Sequence, residues 1–108
     1  MKNRETQKEV VFYLLYNRFK EDPSAFVPVH AFAAGDVLIK ELHRWAFASF
    51  KCPARATEIY KENPGLLDRR KVRGKSGAIY YEYRIAPNPK PELIRDERLL
   101  DFYRKIKT

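Results

Sequence analysis

Hydrophobic positions recur over residues 4–20 at helical spacing. Val10 and Leu14 form one line, which Arg18 ends with a charge, and Val11, Leu15 and Phe19 form a second. Phe12 and Tyr16 widen the apolar face beyond one stripe, so this helix is expected to be covered from more than one side. Pro23 disfavours helical geometry at Asp22 and ends the element. Residues 26–29 read as a short extended segment, which Pro28 places at a sheet edge or strand end. Residues 36–45 admit two readings. Leu38, Leu42 and Trp45 fit a helix capped by Asp36, whereas Val37, Ile39 and Glu41 fit an alternating strand less well. The helix is the favoured reading. Trp45, Phe47 and Phe50 are then expected in the core beneath the next helix, with a partner surface as the alternative.

Residues 53–63 predict a short helix. Pro53 suits its first position and Asn63-Pro64-Gly65 stops it. Ala56, Ile59 and Tyr60 would face inward, and Arg55, Glu58, Lys61 and Glu62 outward. Residues 66–73 and 78–85 predict a β-hairpin around Gly74-Lys75-Ser76-Gly77. In its second arm Ile79, Tyr81, Tyr83 and Ile85 alternate with Tyr80, Glu82 and Arg84. Pro87, Pro89 and Pro91 make a stiff connector. Residues 92–107 predict a last amphipathic helix, with Leu93, Leu100 and Tyr103 on one side and Leu99, Phe102 and Ile106 beside them.

A chain of 108 residues has room for one modest core. Its net charge of +8 favours partners that carry phosphate, or an anionic membrane surface. Half of that surplus falls within residues 66–86, where Arg69-Arg70-Lys71-Val72-Arg73-Gly74-Lys75 contains five basic residues and no acid. A ribbon of cations neutralises several phosphates at once and releases their counterions. The alternative is a solvated edge hairpin whose cations block strand-on-strand pairing. Tyr80, Tyr81 and Tyr83 are expected to pack half-buried, with base stacking as the alternative.

The lone Cys52 allows no intramolecular disulfide, and the apolar run at 10–16 is far too short to cross a bilayer. With no signal-peptide pattern either, the expectation is a cytoplasmic protein without a membrane partner. His30 and His43 are isolated, which gives no metal-ligand spacing. Cys52 is expected as a cap or small core residue rather than a nucleophile, and there is no phosphate-cradling glycine loop. The expectation is therefore no enzyme, no cofactor and no metal.

The order of elements resembles the winged helix-turn-helix architecture. The resemblance is strongest over residues 51–85: Cys52-Pro53-Ala54-Arg55-Ala56-Thr57-Glu58-Ile59-Tyr60, then Pro64-Gly65-Leu66-Leu67, then the basic hairpin. Ser49-Phe50-Lys51-Cys52-Pro53-Ala54-Arg55 and Gly74-Lys75-Ser76-Gly77-Ala78 are also similar to small uncharacterised phage or prophage proteins. The resemblance implies an α+β winged helix-turn-helix over residues 1–86, a Pro-rich connector at 87–91, and an additional helix at 92–108 packing on the domain or on a second subunit. It implies a recognition helix at 53–63 with Lys51, Arg55, Thr57 and Lys61 as nucleic-acid contacts, and a two-stranded wing with Arg69, Arg70, Lys71, Arg73 and Lys75 along phosphate. Glu58 and Glu62 depart from a strong DNA reader, because acids near that face repel phosphate. The implied function is duplex-DNA binding by a transcriptional regulator of viral or mobile-element type. The alternative is a winged-helix protein-interaction module without a nucleic-acid role. A homodimer through both terminal helices is the expected assembly.

Overall fold

Thr6 starts the first helix with a capping box. The Glu9 backbone N–H donates to Thr6 Oγ1 at 3.2 Å, and the Thr6 N–H donates to Glu9 Oε1 at 2.8 Å. Helix α1 (Gln7–Glu21) follows, and extended Asp22 closes it by donating its N–H to the Arg18 carbonyl. The structure is a computed structural model that describes residues 5–33, 35–48, 51–87 and 90–107. After α1 come β1 (Val27–Pro28), β2 (Gly35–Ile39), β3 (Arg44–Ala48), α2 (Cys52–Glu62), β4 (Leu67–Arg73), β5 (Ile79–Ile85) and α3 (Glu97–Ile106). Short 3-10 turns lie at Val29–Ala33, Lys40–Leu42 and Pro91–Leu93. The described chain is thus α+β, with two small antiparallel sheets in the strand orders β1-β5-β4 and β2-β3.

The breadth of the α1 apolar face explains its place at the centre. Val10, Val11, Phe12, Tyr13 and Leu15 are all buried, so no single partner could cover them. Helix α2, strands β3 and β5, and helix α3 all pack against α1. Each such side chain contributes roughly 1.5–3 kcal/mol by leaving water. From the surrounding elements Phe32, Ile39, Ala56, Ile59, Leu66, Tyr83, Ile85, Leu99, Phe102 and Ile106 complete this core.

Three expectations are corrected. Residues 36–45 do not form a helix; they make most of the β2–β3 hairpin, closed by the 3-10 turn at Lys40–Leu42 and by His43 at φ 52°. Trp45 and Phe47 do not enter the core but are 66% and 65% exposed, while Phe50 lies outside the described residues. The last α-helix begins at Glu97 rather than near residue 92. Asp96 Oδ1 caps it by accepting from the N–H groups of Arg98 and Leu99.

Helix α3 returns to α1 within the same chain. Tyr103 meets Phe12 and Tyr16 edge-on at 5.7 and 5.5 Å, Phe102 meets Tyr13, and Arg98 Nε donates to Glu9 Oε1 at 2.9 Å. The apolar faces on which a dimer through the terminal helices was expected therefore cover each other. Asn63 ties this closure to α2. Its Nδ2 donates to the Ile59 carbonyl at 3.0 Å, and its Oδ1 accepts from the Arg95 N–H at 2.7 Å.

Candidate nucleic-acid interface

The candidate interface is built from α2 and the β4–β5 hairpin. Pro53 opens the first turn of α2, and Cys52, Ala56, Ile59 and Asn63 turn its buried line inward. Gly65, at φ 87°, then redirects the chain into β4. The hairpin register pairs Leu67 with Ile85, Arg69 with Tyr83, Lys71 with Tyr81 and Arg73 with Ile79 on one face. Arg70 with Glu82 and Val72 with Tyr80 fall on the other. At the tip, the Gly74 N–H donates to the Ala78 carbonyl at 2.8 Å, and Gly77 adopts φ 86°.

The first of these faces adjoins α2. The Arg69 guanidinium lies 4.4 Å from the Tyr60 ring centre and 4.2 Å from that of Tyr81. A hydrogen bond to the Tyr83 hydroxyl pushes the Arg69 pKa further up. Arg69 is thus a fixed cation at the junction of helix and hairpin. Beyond it Lys71, Arg73 and Lys75 are exposed, as is Lys61 on the outermost line of α2. None of these four has an ion-pair partner among the described residues. Ile79, 58% exposed, gives the far end of the same face an apolar edge.

The acidic side chains point elsewhere. Lys8 of α1 sits 2.7 Å from Glu62 and 3.6 Å from Glu58, and the bond to Glu62 raises the Lys8 pKa. Glu82 holds Arg70 on the opposite face of the hairpin, with Arg70 Nε 2.8 Å from Glu82 Oε1 and its guanidinium 4.1 Å from the Phe26 ring. Arg84 pairs with Asp68 on that same opposite face.

The remaining contacts expected from sequence divide. Arg55 is turned toward α1, donating to Gln7 Oε1 at 3.0 Å and pairing with Glu58. Thr57 faces the sheet, its Oγ1 2.9 Å from the Tyr83 hydroxyl. Lys51 stands exposed immediately before α2. Sequence reasoning placed Tyr60 in the core and missed its role as the platform under Arg69. The signal was its position in the last turn of α2, ahead of the hairpin, but the pairing depends on how α2 crosses β4.

Elsewhere, Cys52 is fully buried, and His30 packs edge-on against Tyr80 at 5.4 Å. Among the described residues no group of three or more His, Cys, Asp or Glu side chains is placed to hold a metal ion. No helix among them is long and apolar enough to cross a membrane. Compared with known proteins, the chain matches no family model, no curated protein and no solved structure.

Proposed function

We propose that the chain binds duplex nucleic acid, DNA in the first place, through α2 and the β4–β5 hairpin acting as recognition helix and wing. Support for a winged-helix reading comes from the sheet order β1-β5-β4, with a short strand after the first helix and α2 directly before the hairpin. In this reading the β2–β3 hairpin takes the place of the helix that precedes the recognition helix in a helix-turn-helix. One observation carries the functional reading: Lys61, Lys71, Arg73 and Lys75 are unpaired beside fixed Arg69, while Glu58, Glu62 and Glu82 are drawn away by Lys8, Arg55 and Arg70. The acids that weakened the sequence reading are thereby neutralised. Because Arg55 is held by Gln7 and Glu58, phosphate contact dominates over base reading. Transcriptional regulation in a virus or mobile element is the role this reading inherits from the resemblance.

The test is a polarisation titration of random duplex DNA at several salt concentrations. Four free cations are expected to give a log–log salt slope of about −3.6. Binding that is weak and insensitive to salt overturns the proposal. Duplex RNA is expected to bind less tightly, because its deep, narrow major groove does not admit a helix. The exposed side chains of β2 and β3 favour a second role in protein contact, on a surface separate from these cations.

A further inference from the structure

The β2–β3 hairpin is apolar on both faces. Its register places Val37 opposite Ala46 and Ile39 opposite Arg44 on the inner face, where Val37 and Ile39 are buried against the core. Leu38 opposite Trp45 and Asp36 opposite Phe47 fall on the outer face. There Trp45, Phe47 and Leu38 form a contiguous apolar surface that no described residue covers, the first two about two-thirds exposed. Tryptophan is the side chain most enriched among the anchors of protein interfaces.

Charge selects the occupant. Asp36 lies on this face, and Glu5 and Asp36 line a hollow with Trp45, Ala46 and Phe47. Arg44 neutralises Glu5, so Asp36 is the acid this face leaves to a partner. A second copy of a chain with net charge +8 is repelled by most of the surface, but residues 36–48 carry two acids and two bases in balance. Along β2 and into the turn, Asp36, Leu38 and Lys40 come at every second position. A two-fold axis at Leu38 therefore superposes Asp36 of each copy on Lys40 of the other. Neither residue has an ion-pair partner among the described residues.

We propose that the outer face of the β2–β3 hairpin is a homodimer interface, in which two copies stack Leu38, Trp45 and Phe47 about a two-fold axis at Leu38 and pair Asp36 with Lys40 reciprocally. The isologous geometry forms each pair twice. Aromatic side chains bury 150–250 Å² when covered, so the three side chains offer roughly 300 Å² of apolar surface per copy. With a polar rim the interface reaches about 1,000 Å² in total, the lower end for a specific contact. The dimer is accordingly weak, with a dissociation constant in the micromolar range.

Sedimentation velocity from low to high micromolar protein, without nucleic acid, tests this directly. The native chain is expected to pass from monomer to dimer with concentration. Trp45→Ser with Phe47→Ser is expected to stay monomeric, with its thermal midpoint retained because neither side chain supports the core. Asp36→Lys and Lys40→Asp are each expected to weaken the dimer by about tenfold or more, since each sets like charges together twice. The two combined restore dimerisation, which mere loss of folding could not do. A native chain that is monomeric at high micromolar concentration overturns the proposal. So does a dimer that survives the serine pair, or a charge exchange that fails to restore it. None of these readouts involves duplex, so they stand apart from the outcome of the duplex titration.

Discussion

The Arg69 guanidinium lies 4.4 Å from the centre of the Tyr60 ring, so one cation belongs both to α2 and to the β4–β5 hairpin. Arg69→Ala is therefore expected to lower the thermal midpoint and weaken duplex binding together. Lys71→Ala with Arg73→Ala removes two cations that hold nothing in place. That pair is expected to keep the native melting curve, weaken binding on every sequence alike, and reduce the salt slope by about 2. Parallel melts and salt titrations check both, and an unchanged slope in the double variant removes the β4–β5 hairpin from the proposed interface.

Arg55 is expected to matter less to DNA than its place on α2 implies. Its ion pair with Glu58 is about one-third exposed on each side, and Gln7 holds its Nε. Arg55→Ala is expected to cost about 0.5 kcal/mol of stability, an exposed i,i+3 pair and one hydrogen bond being modest contributions. Its effect on affinity should be small and the same on random and selected duplexes. A loss confined to a selected site would show that Arg55 leaves Glu58 to read a base edge.

Asn63 is 1% exposed and satisfies both ends of its amide, toward Ile59 and toward Arg95. Asn63→Ala leaves the Arg95 N–H without its acceptor and loosens the passage from α2 to α3. The expected cost is about 1–3 kcal/mol, read as a lower denaturant midpoint with little change in its slope. A midpoint within error of the native one would show that the α3 end of the core does not depend on this amide.

Glu41 gives the fold a pH dependence of known sign. Burial alone would raise its pKa. Its own backbone N–H, the Tyr13 hydroxyl at 2.8 Å and Lys20 at 3.1 Å outweigh that and bring it below the ordinary 4.5. A carboxylate whose folded pKa is depressed adds stability that is fully present above its unfolded pKa and is lost as pH falls through its folded pKa. The gap in thermal midpoint between the native chain and Glu41→Gln is therefore expected to be widest near neutral pH and to close below pH 4.5. A gap that widens on acidification contradicts the assignment.

The hairpin of β4 and β5 was legible because Ile79, Tyr81, Tyr83 and Ile85 alternate with polar partners and two glycines mark the turn. Helix α2 was legible from Pro53 and Asn63-Pro64-Gly65. The β2–β3 hairpin was hidden for a physical reason. Both of its faces carry apolar side chains, so Val37, Leu38 and Ile39 show no alternation. Leu38, Leu42 and Trp45 fall at helical spacing, although Leu38 and Trp45 are cross-strand partners. The turn between them uses His43 in the left-handed region, where a glycine would have announced it. Of the interface, the density of charge was readable in advance. Which cations are free was not, since that depends on Gln7 reaching Arg55 and Lys8 reaching Glu58 and Glu62 across long stretches of chain.

The pairing of the first helix with the last also shapes how the protein emerges during its own synthesis. Glu9 meets Arg98 at a separation of 89 residues, and Tyr13 meets Phe102 at the same span. Phe12 and Tyr16 therefore wait for Tyr103 until the chain through α3 has left the ribosome. The nascent chain exposes an aromatic flank of α1 throughout that interval, and contacts so distant in sequence close slowly. Cutting the chain after β5 would keep every cation of the proposed interface and leave that flank bare, making aggregation, not loss of charge, the first failure of a shortened form.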